Sequence, residues 1–155
     1  MPERDSDANP KPMDTQITQG DGLIRSEAFR LNQARKVRQI VDEFLNQNPD
    51  SYVLVAGDFN SKNTDTTFRV IQGPLKDKED SLVPAADTLP DEKRYSIIST
   101  RSGKNLIDHI LISQNLKNRL RHVEIFNEGL FNHDLDAKYP YIVESDHAPM
   151  IIELA

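Results

Sequence analysis

Apolar and polar positions follow a helical period in one long segment near the start of the chain. Between residues 26 and 46 the apolar side chains recur every three or four positions, with basic and amide side chains between them. This period predicts an amphipathic helix that is capped by Ser26 and ended by the Asn- and Pro-containing segment 46–50. The apolar face of this helix consists of Ala34, Val37, Val41, Phe44 and Leu45.

Residues 1–24, ahead of this helix, show no period of either kind. They contain three prolines, several Asp, Asn and Thr residues, and the tripeptide Gly20-Asp21-Gly22. This composition predicts a flexible arm or loop.

The remainder of the chain contains short apolar runs that predict strands. The run 52–56 is continuous and ends at Gly57, which predicts a strand covered on both faces. Further strands are predicted at 95–99, 106–113, 122–126 and 150–154, a helical turn at 66–72, and loops at 73–94 and 127–145. A helix followed by a buried strand with a polar tip is typical of layered α/β domains, in which ligands bind where strands end.

Composition narrows the class of protein. A length of 155 residues fits one domain. The chain has no cysteine, which excludes disulfides, thiolate catalysis and cysteine-bound zinc. Its net charge of −6 argues against a protein that coats nucleic acid with a basic surface, although a divalent cation would let an acidic enzyme act on a phosphodiester. No run approaches eighteen apolar residues and the first nine are polar, so no membrane segment or export signal is predicted.

The first polar group at a strand end is Gly57-Asp58-Phe59-Asn60-Ser61. Asp58 and Asn60 are two positions apart, so an extended backbone directs both side chains to the same side. A carboxylate beside a carboxamide can align a water molecule, bind a divalent cation and donate a hydrogen bond to a phosphoryl oxygen. An ordinary Asx turn after the strand is the alternative interpretation.

Two further carboxylates lie within or beside apolar strands. Asp108 interrupts the run 106–113, where a charge is costly unless it has a partner or a cation, and the alternative is a structural bond to a loop backbone. Its neighbour His109 faces the opposite side of the strand and is interpreted as a packed or surface histidine. Asp146 and His147 precede the last strand, where they would supply a metal ligand and a proton donor or else form an ordinary loop.

These three motifs, in this order, closely resemble those of the endonuclease/exonuclease/phosphatase superfamily, which includes pancreatic deoxyribonuclease, apurinic endonucleases, neutral sphingomyelinases and inositol polyphosphate phosphatases. The resemblance covers residues 20–155. It includes helix residues similar to the arm-and-helix segment of bacterial members: Arg25, Glu27, Ala28, Gln33 and Ala34. It implies an α/β fold for residues 25–155, namely half of a four-layer α/β sandwich, with a mixed, mostly antiparallel sheet and one long N-terminal helix packed on it.

The resemblance also implies a role for each matched residue. Asp58 would orient or deprotonate the attacking water, and Asn60 would stabilise the pentacoordinate transition state. Asp146 would bind or lie near Mg²⁺, for which Mn²⁺ and Ca²⁺ are alternatives, and Asp58 and Asn60 would lie at the same cation. His147 would donate a hydrogen bond to the scissile phosphate, and Asp108 would pair with His147.

The activity implied is metal-dependent phosphodiester hydrolysis, with nucleic acid as the favoured substrate. An aromatic content of 6%, the absence of tryptophan and the lack of a basic amphipathic helix with bulky apolar residues favour a nuclease over a sphingomyelin-directed enzyme, and phosphoinositide phosphatase activity stays open. Several basic residues would either contact phosphates or form solvated surface, which is the commoner case. They are Arg25, Arg30, Arg35, Lys36, Arg38, Arg119 and Arg121.

The first half of the family domain has no counterpart in this chain, because its early Asn, its metal-binding Glu and its further histidine are not found here. We therefore expect an exposed apolar sheet face that self-associates or binds the absent N-terminal half. We also expect weak or no activity from this chain alone. A non-catalytic remnant or partner-binding module is the alternative.

Overall fold

The computed structural model describes residues 12–74, 79–132 and 145–155, with side chains described from residue 20 onward. Predictions for residues 1–11, 75–78 and 133–144 lie outside the described residues. The helices are α1 (Pro12–Gln47), α2 (Thr66–Gln72) and α3 (Gln114–Lys117). The strands are β1 (Leu54–Asp58), β2 (Val83–Pro84), β3 (Ile97–Ser99), β4 (Gly103–Asn105), β5 (Asp108–Ile112), β6 (Leu120–Ile125) and β7 (Met150–Leu154).

Helix α1 begins much earlier than the apolar period predicts. It starts at Pro12, a residue suited to the first turn of a helix, and it runs through Gly20 and Gly22. The predicted loop is therefore wrong for residues 12–24. The reason is that side chains 21–29 are exposed, so this part of the helix packs against no other segment that the structure describes and leaves no apolar stripe in the sequence.

The main core lies between the two longer helices and one face of a sheet. Its buried members are Ala34, Val41, Leu45, Phe68, Ile71, Leu82 and Leu111. The predicted apolar face of α1 is thus confirmed at three positions and Val37 packs against this core, whereas Phe44 is 56% exposed. The helical turn predicted at 66–72 is confirmed as α2.

The sheet beneath these helices is antiparallel, with strand order β1-β5-β2. The helices cover only one of its faces, so the prediction that the first strand is covered on both faces is wrong. Val55 packs against the core, while Leu54 is 46% exposed and Ala56 is exposed. An exposed apolar face was expected, and its self-association stays a prediction.

Two antiparallel two-stranded sheets complete the architecture. Strands β3 and β4 form one of them, and β6 and β7 form the other. The bounds predicted for the last strand, 150–154, are confirmed by β7. A smaller core of Ala86, Ile125 and Ala148 lies beneath them. The fold is therefore α/β with antiparallel sheets and one long N-terminal helix, as predicted. In the described part of the chain, no helix combines the length and the apolar character needed to cross a membrane.

Candidate active site

Asp58 is the last residue of β1, and a tight turn follows it. The backbone N–H of Asn60 donates a hydrogen bond to Asp58 Oδ1 at 2.8 Å, and Asn60 Nδ2 donates to Oδ2 at 3.0 Å. Asn60 has a φ of 47°, a left-handed conformation that asparagine tolerates better than most residues. The segment is therefore an Asx turn that also holds a carboxylate and a carboxamide together at an exposed strand end.

Asp108 and His147 form a hydrogen-bonded pair although they are far apart in the sequence. His147 Nδ1 donates to Asp108 Oδ2 at 2.8 Å, since a carboxylate oxygen only accepts. The backbone N–H of His147 donates to Ser145 Oγ at 3.1 Å, which holds the loop ahead of β7. The pair fixes the orientation of the imidazole, so that its other nitrogen, Nε2, is directed away from Asp108.

The register of the sheet brings Asp58 to this pair. Asp58 and Asp108 are direct partners at the end of the β1–β5 ladder. One ligand atom from each of Asp58, Asp108 and His147 lies within 4.8 Å of the other two. The three side chains line a cleft of about 390 Å³. Asp146 is half-buried beside His147 and lies outside this cluster, so its role as a metal ligand stays a prediction.

The donor set of this cleft suits a hard divalent cation. Mg²⁺ and Ca²⁺ bind oxygen ligands, and two carboxylates and the Asn60 carboxamide are close together here. Two carboxylates this near to each other repel, and a cation between them removes that repulsion. The two carboxylates therefore have the chemistry to hold a cation, and the metal-binding roles of Asp58 and Asn60 stay predictions.

Ser96 supports the pair from beneath, and the sequence motifs do not include it. This residue is fully buried, and its Oγ accepts hydrogen bonds from the N–H groups of Ile107 and Asp108, both at 3.2 Å. Its carbonyl accepts a hydrogen bond from Ala148 N–H at 2.8 Å. One residue thus ties the start of β5 to the loop that contains His147. The signal in the sequence is a hydroxyl residue inside the apolar run 95–99.

His109 lies on the opposite side of β5 from this cleft cluster. It is 3% exposed and packs against the rings of Phe59 and Phe68, whose centroids lie 5.1 and 4.6 Å from that of the imidazole. Its Nε2 donates to the Ser61 carbonyl at 2.8 Å. Burial lowers the pKa of His109, against smaller raising effects from the Ser61 carbonyl and from Asp108. It is a packed histidine, one of the two interpretations that the sequence favoured.

An α/β domain with two carboxylates, a carboxamide and an oriented imidazole at one strand end has the side chains of a phosphoester hydrolase. Residues 16–154 match the sequence model of the Endonuclease/Exonuclease/phosphatase family, and because this match covers most of the chain, the chain belongs to that family. Membership places it among hydrolases of the phosphodiesterase and phosphatase type. No curated protein matches the chain at a significant level.

Proposed function

We propose that this chain is a metal-dependent phosphodiester hydrolase that acts on nucleic acid, and that its activity is weak when the chain is alone. The observation that supports this most directly is the convergence of Asp58, Asp108 and His147, with mutual ligand distances within 4.8 Å, in an open cleft. Family membership supports the hydrolase class, and the substrate and the cation are the proposed part.

The proposed reaction is in-line attack of water on the phosphorus atom. Asp58 accepts a hydrogen bond from the attacking water and takes its proton as the new P–O bond forms. Asn60 Nδ2 has a second hydrogen that is directed away from Asp58 Oδ2, and it donates to an equatorial phosphoryl oxygen. The bond to the leaving oxygen breaks, and that oxygen takes a proton from solvent or from the site.

His147 and Asp108 act as a unit on the phosphate. Asp108 holds the imidazole through Nδ1, so Nε2 can donate to a phosphoryl oxygen whenever the ring is protonated. In this proposal Asp58 and Asn60 would hold Mg²⁺, and Asp146 would bind it or lie near it. Mn²⁺ or Ca²⁺ would be alternatives to Mg²⁺. The bound cation supplies positive charge that offsets the charge on the phosphoryl oxygens. Because Asp58 and Asn60 are exposed, we expect this cation to bind weakly.

Asp58→Asn tests the proposal with little change in shape, because the carboxamide oxygen can still accept the Asn60 N–H. We expect the Mg²⁺-dependent rate on a labelled oligonucleotide, measured in single turnover with protein in excess, to fall by about 10²–10⁴. The matched control is Asp65→Asn, since Asp65 also accepts a backbone hydrogen bond in an exposed turn, from Lys62 at 2.8 Å. Asp65 does not line the cleft.

Three results would contradict the proposal. The first is the absence of any Mg²⁺-dependent cleavage by the unaltered chain under these conditions. The second is cleavage that persists in excess chelator. The third is an equal effect of Asp58→Asn and Asp65→Asn, which would assign Asp58 to the turn alone.

A further inference from the structure

Arg30 is unlike the other arginines that the structure describes. Its Nη1 donates to Ser26 Oγ at 2.7 Å, while its Nε is buried and has no hydrogen-bond partner in the described part of the chain. It forms no ion pair with any carboxylate of residues 20–74, 79–132 or 145–155. Among the described residues, Arg38 pairs with Asp42 and Arg94 with Asp91, whereas the other arginines resemble Arg30 in this respect. The buried Nε without a partner is therefore what distinguishes Arg30.

A half-buried guanidinium without a counter-charge is costly, because part of its hydration is lost and no carboxylate compensates. A bound anion would remove this cost. Guanidinium and phosphate match in geometry, since two N–H groups can donate in parallel to two phosphate oxygens. The environment of Arg30 therefore favours a phosphate ligand.

Arg30 also lies where a substrate chain would leave the catalytic cleft. It lines a cleft of about 260 Å³ together with Asp58, Asn60 and Gln33. It also lines a neighbouring cleft of about 500 Å³ that contains Asn60, Gln33 and, farther along α1, Arg25. The two clefts share three residues, and together they form a path from Asp58 past Asn60 to Arg25.

We propose that Arg30 binds a backbone phosphate of the nucleic acid next to the phosphate that reacts, with Arg25 beyond it along the path. This inference rests on the proposed function, because it assumes that the reacting phosphate lies at Asp58. A chain of phosphates fits an elongated path with cations along it. Because the chain has a net charge of −6, Arg25 and Arg30 are the groups that would attract a polyanion to this part of the surface.

Binding and turnover test the proposal separately. Binding is measured by fluorescence anisotropy of a labelled single-stranded oligonucleotide in excess chelator, where no cation contributes and no cleavage occurs. We expect Arg30→Gln to weaken binding about tenfold. The slope of log affinity against log salt should also decrease by about 0.7, the value for one lost phosphate contact on a single strand.

Arg35→Gln is the matched control. Arg35 is an exposed arginine of the same helix, and its Nη1 donates to Asn32 Oδ1 at 3.3 Å. This variant should change oligonucleotide affinity by less than about twofold, as expected for a solvated surface charge. A second variant, Arg30→Lys, should retain the salt slope and recover only part of the affinity, because an ammonium group lacks the planar fork.

Turnover shows which phosphate Arg30 contacts. Bis(p-nitrophenyl) phosphate has one phosphate and no flanking one, so Arg30→Gln should reduce kcat/KM about tenfold more for the oligonucleotide than for this small diester. An equal reduction for both would overturn the inference, because Arg30 would then act at the reacting phosphate or support the fold.

Two other results would also overturn it. One is an unchanged oligonucleotide affinity in Arg30→Gln. The other is Arg30-dependent binding of a soluble inositol polyphosphate without oligonucleotide binding. Failure of the proposed function would be distinguishable from failure of this inference, because it would appear as the absence of Asp58-dependent turnover. The comparison of oligonucleotide binding between Arg30→Gln and Arg35→Gln would still be interpretable in that case.

Discussion

The sequence contains the same dipeptide twice, Asp108-His109 and Asp146-His147, and the fold uses the two in opposite ways. The carboxylate of the first pairs with the imidazole of the second, at 2.8 Å, in an open cleft. The imidazole of the first lies on the other side of β5 and is 3% exposed. Dipeptide identity therefore did not decide the role of either histidine.

Strand geometry explains the difference. Consecutive residues of a strand face opposite sides, so Asp108 in the cleft requires His109 to face the core. There His109 meets the rings of Phe59 and Phe68, and burial lowers its pKa. His147 is in a loop that is free of this alternation. Its Nδ1 donates to Asp108, and its Nε2 lies on the opposite edge of the ring.

The substitution His147→Gln tests the function of the exposed imidazole. We expect the Mg²⁺-dependent cleavage rate to fall by about 10²–10⁴, because the imidazole that would face the phosphate in the proposed mechanism is lost. The control is His122→Gln, since His122 is an exposed histidine whose Nε2 also contacts a carboxylate, Glu124 at 3.3 Å. A fall of less than about threefold in His147→Gln would show that the hydrogen-bonded pair is structural.

The converse substitution is His109→Ala, which should act on stability. Removing a buried ring leaves a cavity and an unpaired Ser61 carbonyl, so we expect a loss of about 2–4 kcal/mol in the free energy of unfolding. Urea denaturation followed by circular dichroism measures it, with His122→Ala as the exposed control within about 0.5 kcal/mol of the unaltered chain. An effect as small as that of the control would mean that His109 is not packed as the structure places it.

The sequence was sufficient to locate the carboxylates of the site. Asp58 and Asp108 are visible because they interrupt or end apolar runs, where a charge needs a reason. The last strand was predicted with its observed bounds because apolar residues follow a Pro-containing turn. In each case the signal lies in residues close together in the chain.

The features that the sequence did not reveal depend on contacts between segments that are distant in the chain. Ser96 links β5 to the loop of His147 through three hydrogen bonds, and none of its partners is predictable from its neighbours in sequence. The exposed side of β1 could not be predicted because Leu54 and Val55 look equally apolar, and only the position of α1 and α2 distinguishes them. The start of α1 was missed because side chains 21–29 are exposed, and an exposed stretch of helix has no apolar stripe.

The buried histidine should also make the stability of the chain depend on pH. The pKa of His109 in the folded chain is lowered from its ordinary value of 6.5 by burial. The unfolded chain therefore binds this proton more readily than the folded chain does. Above pH 6.5, His109 therefore does not reduce the free energy of unfolding. Below that value, protonation of His109 favours the unfolded chain, so the free energy of unfolding decreases as the pH falls.

His109→Phe isolates this contribution, because it keeps an aromatic ring between Phe59 and Phe68 and removes the titratable group. Between pH 7.5 and pH 5.5 the unaltered chain should lose more unfolding free energy than the variant, by up to about 1.4 kcal/mol. Carboxylates also titrate toward the lower pH, but they are common to both proteins and cancel in the difference. Equal losses would mean that His109 takes up its proton as easily in the folded chain as in the unfolded one. Such a histidine would be hydrated, and the contrast with His147 would then rest on geometry alone.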